Sequence, residues 1–166
     1  MAADRMDPMT PLTFVRGDAT NPQAKGPKVI AHICNDRGGW GKGFVLAISK
    51  RWPEPEAAYR AWHRERAGND FALGAVQLIQ ARPDLWIANM IGQHGTKPGS
   101  GGPPIRYDAL HQALTALAPH ILERGASVHM PRIGCGLAGG RWERIEPLII
   151  SELSTRNIAV TVYDND

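Results

Sequence analysis

Two stretches of this 166-residue chain place glycines where a backbone can hold an anion. One is VIAHICNDRGGWGKGFVLAISK, beginning at Val29; the other is VHMPRIGCGLAGGRWERIEPLI, beginning at Val128. Each passes from an apolar, strand-like segment through a glycine-rich turn into a helix-like segment. Glycine permits the tight turn and the close approach of backbone to ligand. A helix start adds free N–H groups and partial positive charge. Phosphate or pyrophosphate is the guest this suits. Neither stretch is a Walker A loop, since no GxxxxGK[ST] occurs. Gly134-Cys135-Gly136-Leu137-Ala138-Gly139 spells GxGxxG, yet no acidic residue closes a strand about twenty residues on, as a dinucleotide site requires. Taken alone, the loops fit phosphate binding or plain tight turns.

No metal or cofactor site is read. The six histidines (32, 63, 94, 111, 120 and 129) are scattered, with neither HExxH spacing nor a paired carboxylate cluster. Cys34 and Cys135 are too few for a disulfide framework and lack ligand spacing. They read as reduced thiols, which predicts a reducing, cytoplasmic setting.

The elements that must carry these loops follow from periodicity. Strands are expected over 12–16, 29–33, 75–80, 85–91, 128–133 and 158–163, each short and rich in apolar or β-branched residues. Helices are expected over 44–52, 54–67, 107–124 and 143–153. Pro53 ends the first, Pro55 and Gly68 bracket the second, and Gly125 stops the third. Residues 92–104 (GQHGTKPGSGGPP) hold five glycines and three prolines, too many for regular structure, and predict a functional loop. Strands alternate with helices, with two hairpin-like pairs, so a mixed sheet between helical layers is expected.

The totals agree with one domain. The length suits a single core, expected over 12–166, with residues 1–11 as a loose lead-in rather than a signal peptide. The apolar and charged fractions, 43% and 21%, are those of a globular chain. No apolar run is long enough to span a membrane, so no membrane partner is expected. A net charge of +3 mildly favours an acidic or phosphate partner, but no Lys/Arg run is dense enough for a nucleic-acid track.

The combination of motifs is more specific than either loop. Gly17-Asp18-Ala19-Thr20 follows the first strand, and His32-Ile33-Cys34-Asn35 ends the second. Gly39-Trp40-Gly41-Lys42-Gly43 opens a helix, and Pro131-Arg132-Ile133-Gly134-Cys135-Gly136-Leu137 comes late. In this order they resemble a macrodomain, over residues 12–163. The branch they most resemble contains terminal ADP-ribose protein glycohydrolases and ADP-ribose 1″-phosphate phosphatases.

That resemblance implies an α/β fold, a three-layer α/β/α macrodomain with a mixed sheet of about six strands. It implies ADP-ribose in a cleft at the strand ends and ADP-ribosylated proteins as partners. Asp18 would accept from the adenine amino group, with Ala19 beside it. Asn35 to Gly43, including Trp40, Gly41 and Lys42, would wrap the distal ribose. Ile133, Gly134, Cys135, Gly136, Leu137 and Ala138 would cradle the pyrophosphate through their backbone. Tyr163 would lie against the adenine, and Gln93 and His94 would reach over the distal ribose. Trp40 either floors that ribose or anchors the loop.

The resemblance also points to chemistry, with two departures. The hydrolase branch uses a lysine after the fourth strand and an aspartate after GCGL; here Gly92-Gln93 and Ala138-Gly139 stand there. His32 and Asn35 match the phosphatase branch. His32 is therefore a candidate acid or base, Asn35 a group orienting ribose hydroxyls or water, and Asp36 and Arg37 a pair to activate water and hold phosphate. The alternative for His32 is a core histidine; for Asp36 and Arg37, a solvated pair. The expected activity is hydrolysis of mono-ADP-ribose esters on glutamate and aspartate side chains, a deacylation without metal. The alternatives are ADP-ribose 1″-phosphate hydrolysis and non-catalytic reading of ADP-ribosylation; ADP-ribosylated DNA stays open as a substrate.

Overall fold

The computed structural model describes residues 12–99 and 102–165, so the expected lead-in over 1–11 lies outside the described residues. Six strands and four helices follow in the order β1 Leu12–Arg16, β2 Lys28–Asn35, α1 Phe44–Arg51, α2 Glu54–Arg64, β3 Val76–Arg82, β4 Leu85–Gln93, α3 Tyr107–Arg124, β5 Ser127–Met130, α4 Trp142–Glu152 and β6 Val160–Asp164. The strands form one sheet in the order β1-β6-β5-β2-β4-β3. Every pairing is parallel except β3 with β4. The expectation of two hairpin-like pairs is thus corrected to one among the described residues. β1 and β2 are consecutive in the chain but separated in the sheet by β6 and β5.

Alternation along β2 builds both sides of the core. Val29 and Ala31 join β5, β6, α3 and α4 in one apolar cluster, whereas Ile30 and Cys34 join α1 and α2 in the other. Leu110, Leu114, Leu117 and Ile121 lie fully buried along one face of α3, each contributing about 1.5–3 kcal/mol by burial. Gly125 stops that helix in the left-handed conformation at φ 59°, and its N–H closes onto Ile121 and Leu122 carbonyls. α2 stops at Arg64, and Arg66–Gly68 tightens into a 3₁₀ turn instead of completing the expected helix. β5 ends at Met130 rather than at 133, because Pro131 has no N–H for the ladder.

β2 and β4 run longer than their apolar cores suggested. Asn35 and Gln93 are their last residues and are paired across the sheet, past a bulge. Both chemical loops therefore start from the carboxyl edge of the parallel strands, where ligands of open α/β sheets bind.

Candidate functional site

The loop leaving β2 is built around the Asn35 side chain. Its Oδ1 accepts from Arg37 N (2.8 Å) and Gly39 N (3.1 Å), and its Nδ2 donates to the Gly39 carbonyl at 2.9 Å. The Tyr59 hydroxyl, from α2, sits 2.5 Å from the Asn35 carbonyl oxygen and 3.1 Å from Gly38 N. Asn35 thus shapes the turn from beneath, and most of its amide capacity is spent there. Trp40 is 3% exposed, packs against His32 and Tyr59, and donates its indole N–H to Ser49 Oγ at 2.7 Å. Of its two expected roles, anchoring the loop is the one the packing supports; as a ligand surface Trp40 is corrected.

His32 is corrected more firmly. It is 1% exposed, between Trp40 and Phe44, on the α1–α2 side of the sheet. Its Nε2 lies 2.5 Å from Asn89 Oδ1, which makes Nε2 the protonated nitrogen, and no described residue bonds to Nδ1. Burial lowers its pKa to about 4, against the opposing Asn89 hydrogen bond. A neutral, enclosed imidazole cannot exchange protons with a ligand at the strand edge. Cys34 is enclosed on the same side of the sheet, and burial likewise pushes its thiol up.

Asp36 and the loop after β4 form one unit. Asp36 N donates to the Gln93 carbonyl at 3.0 Å. Its carboxylate accepts from Gly95 N at 2.8 Å and lies 2.7 Å from His94 Nδ1. Arg37 is mostly exposed, with Nε 3.7 Å from Asp36 Oδ1. Gln93 Nε2 turns back to the Gly95 carbonyl at 3.0 Å.

The second loop follows β5. Gly134 sits at φ 75°, and a Cβ there would come within 2.9 Å of Ile105, 3.1 Å of Ile145 and 3.2 Å of Ile33. Only glycine allows the chain to pass over that floor. Ile133 and Ala138 are buried, so only their backbone is available, and the Ala138 carbonyl already accepts from Ile105 N at 3.0 Å. Leu137 is 64% exposed and reaches the first loop: a Cβ on Gly43 would meet its Cδ1 at 3.6 Å. The two loops thus touch at Gly43 and Leu137. Around Gly41 and Gly136 there is open space, with nothing within 4 Å of a Cβ at either. Cys135 is half-buried, with its thiol raised mainly by that burial.

At the far end of the edge, Asp18 Oδ1 accepts from Thr20 N (2.8 Å) and Thr20 Oγ1 (2.6 Å), while Arg51 Nη2 holds Oδ2 at 3.1 Å. Burial works to raise the Asp18 pKa, but the Thr20 hydrogen bonds and Arg51 outweigh it and lower it. These residues line a cavity of about 670 Å³ with Gly17, Ala47 and Lys50. Ala19 is buried beside it. Tyr163 is half-buried next to Gly17, with its hydroxyl 2.8 Å from His129 Nδ1. A second cavity, of about 570 Å³, lies between the starts of α3 and α4, lined by Arg106, Tyr107, Arg141 and Arg144.

The structure therefore gathers Asp36, Gln93 and His94 at one end of the strand edge, and joins the glycine loops through Gly43 and Leu137. Asp18, Ala19 and Tyr163 cluster around the Gly17 turn. It takes His32 and Trp40 out of the cleft and makes Asn35 a frame. Arg51, the partner of Asp18, was not legible; as the last residue of α1 it looks like an ordinary helix-end cation. Among the described residues there is no cluster of three metal-ligating side chains and no helix long and apolar enough to cross a membrane.

No family model matches the chain. Human ADP-ribose glycohydrolase OARD1 is 38% identical over 154 residues, which span 92% of this chain and 90% of that protein. An ADP-ribose 1″-phosphate phosphatase from Meyerozyma guilliermondii is 25% identical, spanning 93% and 99%. Zebrafish chromodomain-helicase-DNA-binding protein 1-like is 34% identical over 93% of this chain, but the chain spans only 16% of that protein. Among solved structures, a macrodomain protein from Streptomyces coelicolor superposes with a TM-score of 0.85 at 62% identity, covering 94% of this chain and all of that one. The mixed six-stranded sheet, the two joined glycine loops at its carboxyl edge and near-full-length likeness to these proteins lead to one assignment: the chain belongs to the macrodomain family.

Proposed function

We propose that this protein binds ADP-ribose along the carboxyl edge of its sheet and hydrolyses the ester joining mono-ADP-ribose to glutamate or aspartate side chains. The observation that carries the reading is the junction of the two loops at Gly43 and Leu137, with unfilled space at Gly41 and Gly136 on either side. Backbone N–H groups there suit a pyrophosphate, which needs no cation when amides surround it. Asp18 and Tyr163 mark the adenine end, and Gln93 and His94 the distal-ribose end.

The residues that stand at the two departures support an ester linkage. Gln93 and Ala138 supply neither amine nor carboxylate. A carboxylate ester is the adduct that leaves with least help, and positioning alone can lower a barrier by roughly 7–11 kcal/mol. The phosphatase alternative drew on His32 and Asn35; the first is enclosed and the second occupied, which favours ester cleavage.

The test is a substrate panel followed by mass spectrometry: glutamate-linked mono-ADP-ribosylated protein, a serine-linked counterpart, and ADP-ribose 1″-phosphate. Release of ADP-ribose from the glutamate linkage alone is expected. Phosphate release from the third substrate, or ADP-ribose binding with no release from any, would replace this reading with the phosphatase or the reader.

A further inference from the structure

The junction between Asp36 and the loop after β4 has the form of a proton-transfer unit. The Asp36 carboxylate is held from several sides: by Gly95 N at 2.8 Å, by His94 Nδ1 at 2.7 Å, and by Arg37 Nε at 3.7 Å. Its side chain is 16% exposed and that of His94 is 45% exposed. A carboxylate only accepts, so Nδ1 of His94 carries the proton and Nε2 keeps its lone pair. No described residue bonds to that Nε2. The pair also stands at the place where ligands of such sheets bind, since Asp36 follows β2 and His94 follows β4. Of the other titratable groups nearby, His32 and Cys34 are enclosed, and burial pushes the Tyr59 hydroxyl up. The charged and titratable groups around the pair are Arg37 on its own loop and, across the loop on α2, Arg60 and His63, whose pKa burial and Arg66 lower.

Resting on the ester-hydrolase reading above, we propose that His94 is the catalytic base of that reaction and Asp36 its positioning residue. Water attacks the anomeric carbon of the distal ribose and a new C–O bond forms there. The bond from that carbon to the acceptor's carboxyl oxygen breaks, and its electron pair leaves as the glutamate or aspartate carboxylate. The proton lost by water passes to His94 Nε2, where Asp36 balances the imidazolium charge, and then returns to solvent. No further reactant is needed.

The experiment compares wild type, His94→Gln and Asp36→Asn on the glutamate-linked substrate across pH, with ADP-ribose affinity measured for each. His94→Gln is expected to lower kcat by about 10²–10⁴-fold, the range of general base catalysis, a far larger effect than on ADP-ribose affinity. It should also abolish the acid limb of the kcat–pH profile. Asp36→Asn should lower kcat too, because its oxygen stays on Gly95 N–H, its amide N–H faces Nδ1, and the reversed tautomer puts the proton on Nε2. An unchanged kcat or acid limb in His94→Gln, with wild type active, would overturn the base assignment alone. Loss of kcat together with ADP-ribose binding would make the pair a loop staple and overturn it too. No release by wild type would overturn the ester reading and this proposal with it.

Discussion

Gly41 and Gly134 separate a glycine that the proposed function keeps clear for a ligand from one that packing keeps clear for the fold. A Cβ on Gly41 meets nothing within 4 Å, and its φ lies outside the left-handed region. Gly41→Ala should therefore raise stability by about 0.4–1 kcal/mol through the unfolded chain, or roughly 1–4 °C in Tm for a domain of this size. The methyl enters the space assigned to ADP-ribose. Loss of one amide bond to a charged oxygen costs about 1.5–3 kcal/mol, so affinity should fall about 10–150-fold. Gly134→Ala is the opposite case. Its φ of 75° and three isoleucine methyls within 3.2 Å carry a conformational cost of about 1–2 kcal/mol and an overpacking cost of about 1–3 kcal/mol. That lowers Tm by roughly 4–20 °C. Calorimetry of melting and of ADP-ribose titration measures both. A Gly41→Ala protein that binds ADP-ribose as wild type does would refute the placement of the ligand.

Other consequences concern pH, the loop frame and cations. Burial lowers the pKa values of His32 and His129 to about 4 from an ordinary 6.5, His129 with help from Lys28. Between pH 6.5 and 4 the unfolded chain binds protons that the folded chain refuses. Stability is thus complete above that window and falls through it as pH drops, by on the order of 3 kcal/mol per histidine; urea midpoints across pH should show this slope, and His32→Gln should make it shallower. Asn35→Ala should cost about 1–3 kcal/mol, since part-buried N–H groups of Arg37 and Gly39 lose their acceptor, whereas Asn35→Asp should cost less; denaturant midpoints decide. On the proposed reading, in which backbone amides hold the pyrophosphate, chelator treatment should leave ester hydrolysis unchanged; a loss restored by added divalent cation would contradict that.

The fold was legible because short apolar, β-branched runs and helix punctuation stand out in the sequence. Leu12–Arg16 and Tyr107–Arg124 fall where periodicity, Gly17 and Gly125 place them. Polar strand ends hid the true reach of β2 and β4: Asn35 and Gln93 carry no strand propensity, yet neighbouring strands hold them in register. The glycine loops were legible as loops, and the macrodomain likeness as a family, since both live in local order. Roles that depend on which way a side chain points were not. His32 reads as a core group or as an acid or base until the strand's facing is known, and Trp40 between glycines reads as ribose floor or loop anchor until its contact with Ser49 is known. The Asp36–His94 contact spans 58 positions and leaves no local signal.

The most direct test of the account is a crystal structure of the protein with ADP-ribose. The pyrophosphate is predicted to lie between the backbone of Gly41 to Gly43 and that of Gly134 to Leu137, with adenine beside Asp18 and Tyr163 and the distal ribose facing His94. A pyrophosphate seated instead in the cavity of Arg106, Arg141 and Arg144 would contradict it.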